Sequence, residues 1–244
     1  RMMGGEFCGN AARSLGAYLA SIRHPSMRTT DDSSKSQGLI QVYGVDTPIL
    51  VQAELDEEEM PCWASCAFPG APKVDFFFVE TLSWASSGLS PNIRISPCVN
   101  PRDLLESWLG KVSLKLRPSV VAVVRLEGIT HIVVDGRDYR TEENILLELS
   151  YALGLEDEAC IGVMFRYGLD EIVPLVHVAA TNTFVWESSC ASGAAAVALV
   201  YASALSVTAR PPDVEEEPSD SYATVCGDVR LVAEGTVFID IVSA

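Results

Sequence analysis

Residues 188–205 read SSCASGAAAVALVYASAL, and this stretch decides the architecture. From Ala194 to Leu205 the residues are small or apolar on every side of a helical wheel, so a helix here has no face suited to water. It should be wrapped by a sheet. The stretch 188–209 carries no charge and is just long enough to span a bilayer. It is mostly Ala, Ser and Gly instead of Leu, Ile and Phe, which is the composition of a buried core helix, and no membrane association is expected.

Cys190 stands immediately before this helix, and the chain builds the same device near its start. Residues 6–12 read EFCGNAA and residues 188–194 read SSCASGA, so each sets a cysteine and then small residues at the start of an apolar helix. After Cys8, the residues Ala11, Leu15, Tyr18, Leu19 and Ile22 recur at the spacing of one helix face, which is expected to pack inward. A thiol at a helix N-terminus feels the positive helix end and unpaired backbone N–H groups, which favour the thiolate and lower its pKa. The same N–H groups hold a carboxylate. Two such N-termini facing each other would grip one substrate carboxylate and set Cys8 and Cys190 on opposite sides of the adjacent α-carbon. One thiolate then removes the α-proton while the opposite thiol protonates the other face, and the surrounding donors stabilise the enediolate-like charge. This chemistry needs no cofactor.

The remaining pattern mixes strands and helices. Strands are predicted at 39–43, 49–55, 62–68, 120–125, 131–134, 161–166, 173–178, 183–186, 228–233 and 236–242. Residues 141–153 form an amphipathic helix with Ile145, Leu149 and Ala152 on one side and Gly154 as its stop. The segments 24–37, 69–101 and 211–220 read as connections because Ser, Thr, Asp, Gly, Pro or acidic residues crowd them. Two lobes are expected, residues 1–75 and 76–244, with the last strand able to return to the first lobe. Because Arg1 is not a methionine and the first motif follows within ten residues, the first lobe is expected to be incomplete at its start.

Acidic residues outnumber basic ones, 33 against 17, and the net charge of −16 repels a phosphate backbone, so nucleic acid is not an expected partner. Seven cysteines at irregular spacing do not make a disulfide framework. A reducing cytoplasm is the expected compartment. The pair Cys62 and Cys66 lacks a second pair or a nearby histidine pair, so no metal is expected.

The two motifs, EFCGNAAR at 6–13 and ESSCASGA at 187–194, resemble those of the diaminopimelate epimerase fold, whose members include amino-acid racemases that use no pyridoxal phosphate. The resemblance implies an α+β protein of two similar lobes, each a curved mixed or antiparallel sheet wrapped around a central helix. It also implies that the backbone amides of Gly9, Asn10, Ala191 and Ser192 hold the substrate carboxylate, with the Asn10 side chain adding a contact. Ala191 replaces a glycine common in the second motif, and tighter packing is the expected result.

Members that act on diaminopimelate carry a Glu-Arg-Gly segment before the second cysteine, whereas this chain reads TFVWESS at 183–189. That form is more similar to the histidine racemases of opine-metallophore pathways, which implies that Glu187 anchors the substrate ammonium. His131 falls where the family has a histidine-containing loop near the cleft, and is taken as a further substrate-binding residue. The expectation is a cofactor-independent amino-acid racemase acting on a proteinogenic amino acid such as histidine, with a homodimer compatible with it. The alternatives are a diaminopimelate epimerase and a catalytically degenerate binding or scaffold member of the fold.

Overall fold

Runs such as 120–124 and 161–165 are apolar at consecutive positions, so the strands they form cannot divide themselves between a dry and a wet face. They need cover on both sides. In the computed structural model, which describes residues 7–32, 34–42, 45–68, 72–84, 91–97, 119–139, 141–168, 171–188, 190–209 and 224–228, they have it. Strands β7 (Ser119–Leu126), β8 (Ile129–Asp135) and β9 (Cys160–Arg166) lie inside a seven-stranded sheet, and β8 and β9 are buried at every position. With β5 (Lys73–Trp84), β6 (Pro91–Pro97), β10 (Ile172–Val178) and β11 (Thr183–Trp186), the strand order is β11-β10-β9-β8-β7-β5-β6.

The sheet is mixed because β8 and β9 run parallel, in register Ile132 to Val163, while their neighbours pair antiparallel. A parallel pair needs a crossover, and α2 (Glu143–Ala152) provides it. Its Ile145, Leu146 and Leu149 are fully buried in one cluster with Val121, Val123, Ile132, Val134, Val163 and Phe165. Each such side chain contributes about 1.5–3 kcal/mol of apolar burial. Gly154 ends the helix at a positive φ of 65°, which only glycine adopts without cost.

The long apolar helix is α3 (Ala191–Ala209), packed against β5, β7, β8 and β9. Its burial is not all-round: Ala194, Ala198 and Ala202 are exposed along one line, so the expected complete wrapping is corrected to cover on its sheet-facing sides. Among the described residues no helix is long and apolar enough to cross a membrane.

The chain forms an α+β protein with three helices and two sheets among the described residues, divided into two compact units. The first unit is Arg1–Asn10, Gln41–Ile49 and Ala67–Val225, and the second is Ala11–Ile40, Leu50–Cys66 and Cys226–Ala244. The second sheet has the order β1-β2-β3-β4-β12, from β1 (Arg28–Thr29), β2 (Lys35–Ile40), β3 (Ile49–Leu55), β4 (Pro61–Ala67) and β12 (Thr224–Asp228).

The helix α1 (Gly9–Ser21) reverses an expectation. Its buried residues are Gly9, Ala12, Gly16, Ala17 and Ala20, whereas Leu15, Tyr18 and Ile22 from the predicted inward stripe are 42%, 48% and 50% exposed. A Cβ on Gly16 would stand 2.9 Å from the Val51 Cβ, so the helix approaches β3 too closely for large side chains. Two further corrections concern segments read as connections. Residues 69–101 contain β5 and β6, and 24–37 contains β1 and part of β2, whose alternation of exposed and half-buried positions explains its polar composition. The predicted strand 228–233 meets β12 only at Asp228. The rest of it, and the segments 211–220 and 236–242, lie outside the described residues.

Candidate active site

Cys190 occupies the N-cap position of α3. Its carbonyl accepts the first helical hydrogen bond, from the Ala194 N–H at 2.9 Å, and its Sγ accepts the Gly193 N–H at 3.3 Å. A sulfur thus stands where Ser, Thr or Asp usually satisfies an orphan donor. Gly193 has to be small there, since a Cβ would fall 2.2 Å from Met164 Sδ on β9.

The expected lowering of the thiol pKa is reversed at Cys190. Burial pushes it up to about 12, and the neighbouring Glu187 carboxylate adds to the rise by accepting from the thiol and repelling the thiolate. The Ser192 hydroxyl and the Gly193 N–H pull the other way without prevailing. Helix-end donors act here inside a site where only 8% of the residue is exposed, and desolvation is the larger effect.

Behind Cys190, Ser192 Oγ lies 3.5 Å from the sulfur and 2.9 Å from His131 Nε2. His131 is completely buried, which pulls its pKa down to about 3 and keeps the ring neutral. Its register partner on β9 is Gly162, where a Cβ would be 2.5 Å from His131 Nδ1. The ring is seated against bare backbone.

A pocket of about 50 Å³ is lined by Phe7, Cys8, Gly9, Asn10, Ile129, Val176, Glu187, Cys190, Ala191 and Ser192. All ten residues belong to the first unit. It brings together Cys8, Cys190 and five of the six residues named from the sequence as substrate-binding. The sixth, His131, does not line the pocket and stands behind Ser192. Cys8 is half-buried, and Phe7 beside it meets Phe68 edge-on at 5.2 Å between ring centroids. Glu187 is half-buried, positioned by its own N–H donating to the Pro174 carbonyl of β10. Ala191 does not take a positive φ, and its Cβ would be 3.2 Å from a Cβ added to Gly9.

Sequence reasoning missed the apolar walls Phe7, Ile129 and Val176. Phe7 had a signal, being adjacent to Cys8; the other two are set by strand register. Elsewhere, Cys62 donates from Sγ to the Glu54 carbonyl, Cys66 is buried, and no three metal-ligating side chains cluster among the described residues.

The chain is similar to known proteins over nearly its whole length. Two histidine racemases from strains of Fusobacterium nucleatum subsp. nucleatum are 27% and 24% identical to it over 251 aligned residues, covering 98% of this chain and 78% and 77% of the relatives. Residues 110–238, which include the Cys190 motif, match the family described as the histidine racemase CntK N-terminal domain. By that match the chain belongs to the histidine racemase CntK N-terminal domain family.

Proposed function

We propose that the protein is a pyridoxal-phosphate-independent amino-acid racemase that moves the α-proton of histidine between Cys8 and Cys190. The observation that carries this reading is the pocket shared by both cysteines and by the first residues of both helices. Backbone N–H groups at the start of α1 and α3 bind the substrate carboxylate, as helix N-termini do. Negative charge that develops when the α-proton leaves spreads onto that carboxylate, where the same donors stabilise it. Glu187 is the one carboxylate among the described lining residues and takes the substrate ammonium. The apolar residues Phe7, Ile129 and Val176 limit water around a very weak carbon acid.

Cys190 is held as a thiol and is the proton donor of the pair in one direction; microscopic reversibility makes it the base in the other. The family match and the names of both relatives support histidine as substrate, as does the missing Glu-Arg-Gly segment. The two sheets, and the two helices that each follow a cysteine, support a diaminopimelate epimerase-like fold. Incubation with L-histidine in deuterated water, followed by chiral chromatography and mass spectrometry, should give D-histidine carrying α-deuterium. Cys8→Ala and Cys190→Ala should each abolish it with the circular dichroism spectrum unchanged. Full turnover in either variant overturns the two-base mechanism.

A further inference from the structure

Ser192 stands between a thiol and an imidazole, with its Oγ 2.9 Å from His131 Nε2 and 3.5 Å from Cys190 Sγ. A hydroxyl has one hydrogen to give, and the tautomer of a neutral ring decides where it goes. With the ring hydrogen on Nε2, His131 donates to Ser192 Oγ and leaves the hydroxyl hydrogen for the sulfur. With it on Nδ1, Nε2 draws the hydroxyl hydrogen to itself, and the buried Nδ1–H has no acceptor among the described residues, where Nδ1 makes no hydrogen bond. An orphaned buried N–H is rarer than an orphaned acceptor, which favours the first arrangement.

We propose that His131 is a positioning residue: its Nε2–H holds Ser192 Oγ so that the Ser192 hydroxyl donates to Cys190 Sγ and favours the thiolate when that cysteine takes the α-proton. The proposal rests on the two-cysteine reading above. His131 cannot exchange protons with the substrate directly, being fully buried and absent from the pocket wall. It also cannot move far, since it is pressed against Gly162. The groups that face Cys190 are Glu187, which opposes the thiolate, and the Ser192 hydroxyl and Gly193 N–H, which favour it; Cys8 lines the same pocket. Among the described residues, removing the Ser192 hydrogen bond leaves burial and Glu187 opposed only by the Gly193 N–H.

The test measures alkylation of Cys190 by iodoacetamide against pH on the full chain, resolved from Cys8 by peptide mass spectrometry, alongside kcat and KM for L-histidine. Ser192→Ala and His131→Asn should slow Cys190 alkylation about tenfold at a fixed pH, the scale of one charge-assisted hydrogen bond. The Cys8 rate should not change. His131→Gln, whose amide reaches the place of Nε2 where asparagine cannot, should stay within about twofold of the unmodified protein. In the slowed variants kcat falls and KM holds. Unchanged alkylation in folded Ser192→Ala, or equal rates in His131→Asn and His131→Gln, overturns the proposal. If His131→Asn does not fold, a Ser192→Ala/His131→Gln double variant decides: it should match Ser192→Ala alone, and a further loss overturns the coupling. Alkylation uses no substrate, so a failure of the racemase reading would show as absent exchange in the unmodified protein while the alkylation pattern persisted.

Discussion

A Cβ added to Gly9 would stand 3.2 Å from the Ala191 Cβ and 3.0 Å from the end of the Phe68 ring. The two helix starts therefore approach each other as closely as their backbones and one methyl group allow. Gly9→Val places two further methyl groups in this space. It should cost about 1–3 kcal/mol in urea unfolding, the range for overpacking, and remove α-proton exchange by spreading the amides proposed to bind the substrate carboxylate. Normal exchange in Gly9→Val would show that the close approach is dispensable.

Gly162 and His131 form a second tight pair, across the parallel strands β8 and β9. Gly162→Ala alone should lower stability by about 1–3 kcal/mol, because its methyl must displace the buried ring. His131→Ala removes that obstacle. The double variant Gly162→Ala/His131→Ala should therefore be more stable than the two single losses predict, by at least about 0.5 kcal/mol in a double-mutant cycle. Strict additivity would mean that the ring does not meet the new methyl.

The paired cysteine motifs were legible because a helix start announces itself locally, through small residues and an apolar run after a capping position. The pocket walls were not, since Ile129 and Val176 are set by which strand lies beside which. Face assignment failed at α1 for a related reason. Ala12, Gly16 and Ala20 share a helical spacing just as Leu15, Tyr18 and Ile22 do, and only the close approach to Val51 selects the small set for burial. Strands β5 and β6 were hidden by Ser, Gly and Pro in the segment around them, with Pro91 and Pro97 at the two ends of edge strand β6, where proline is tolerated. The direction of the Cys190 pKa shift was also out of reach: the helix end is a local feature, whereas burial and Glu187 are properties of the folded site.

His131 gives the fold an acid-sensitive contribution. Its folded pKa of about 3 lies below the unfolded value of 6.5, so the unfolded chain binds the proton first. The stability tied to the neutral ring is fully present above pH 6.5 and is lost as pH falls towards 3, at about 1.4 kcal/mol per unit. Urea unfolding from pH 7 to 4 should show this slope, and His131→Gln should flatten it by that amount. An identical slope in His131→Gln would mean that another group dominates acid unfolding.

Cys190 acts at the other end of the scale. Its folded pKa of about 12 lies above the ordinary thiol value of 9.0, so the unfolded chain releases the proton first as pH rises. Stability tied to the buried thiol is present below pH 9 and declines above it, by about 1 kcal/mol per unit. Cys190→Ala has no proton to lose, and its unfolding midpoint should fall less between pH 8.5 and 10.5. Parallel curves for the two proteins would place the thiol pKa near its ordinary value.

At the far end of β8 and β9, Asp135 and Arg166 are 1% and 2% exposed and joined by a 2.9 Å ion pair. Arg166 also donates from Nη1 to the Gly168 carbonyl at 2.8 Å and to the Tyr201 hydroxyl at 3.0 Å, which ties the strand end to α3. Asp135→Leu would leave the guanidinium buried without its carboxylate, a loss of about 3–5 kcal/mol. Replacing both partners, Asp135→Leu with Arg166→Met, removes the buried uncompensated charge and should recover most of that loss in urea unfolding, because Arg137, which also pairs with Asp135, is 43% exposed and keeps its hydration. Because Ile129 and Asp135 stand at opposite ends of β8, and only Ile129 lines the pocket, the double variant should keep its α-proton exchange when assayed below its melting temperature. A stable double variant without exchange would show that this ion pair reaches the site through α3, whose first residues line the pocket.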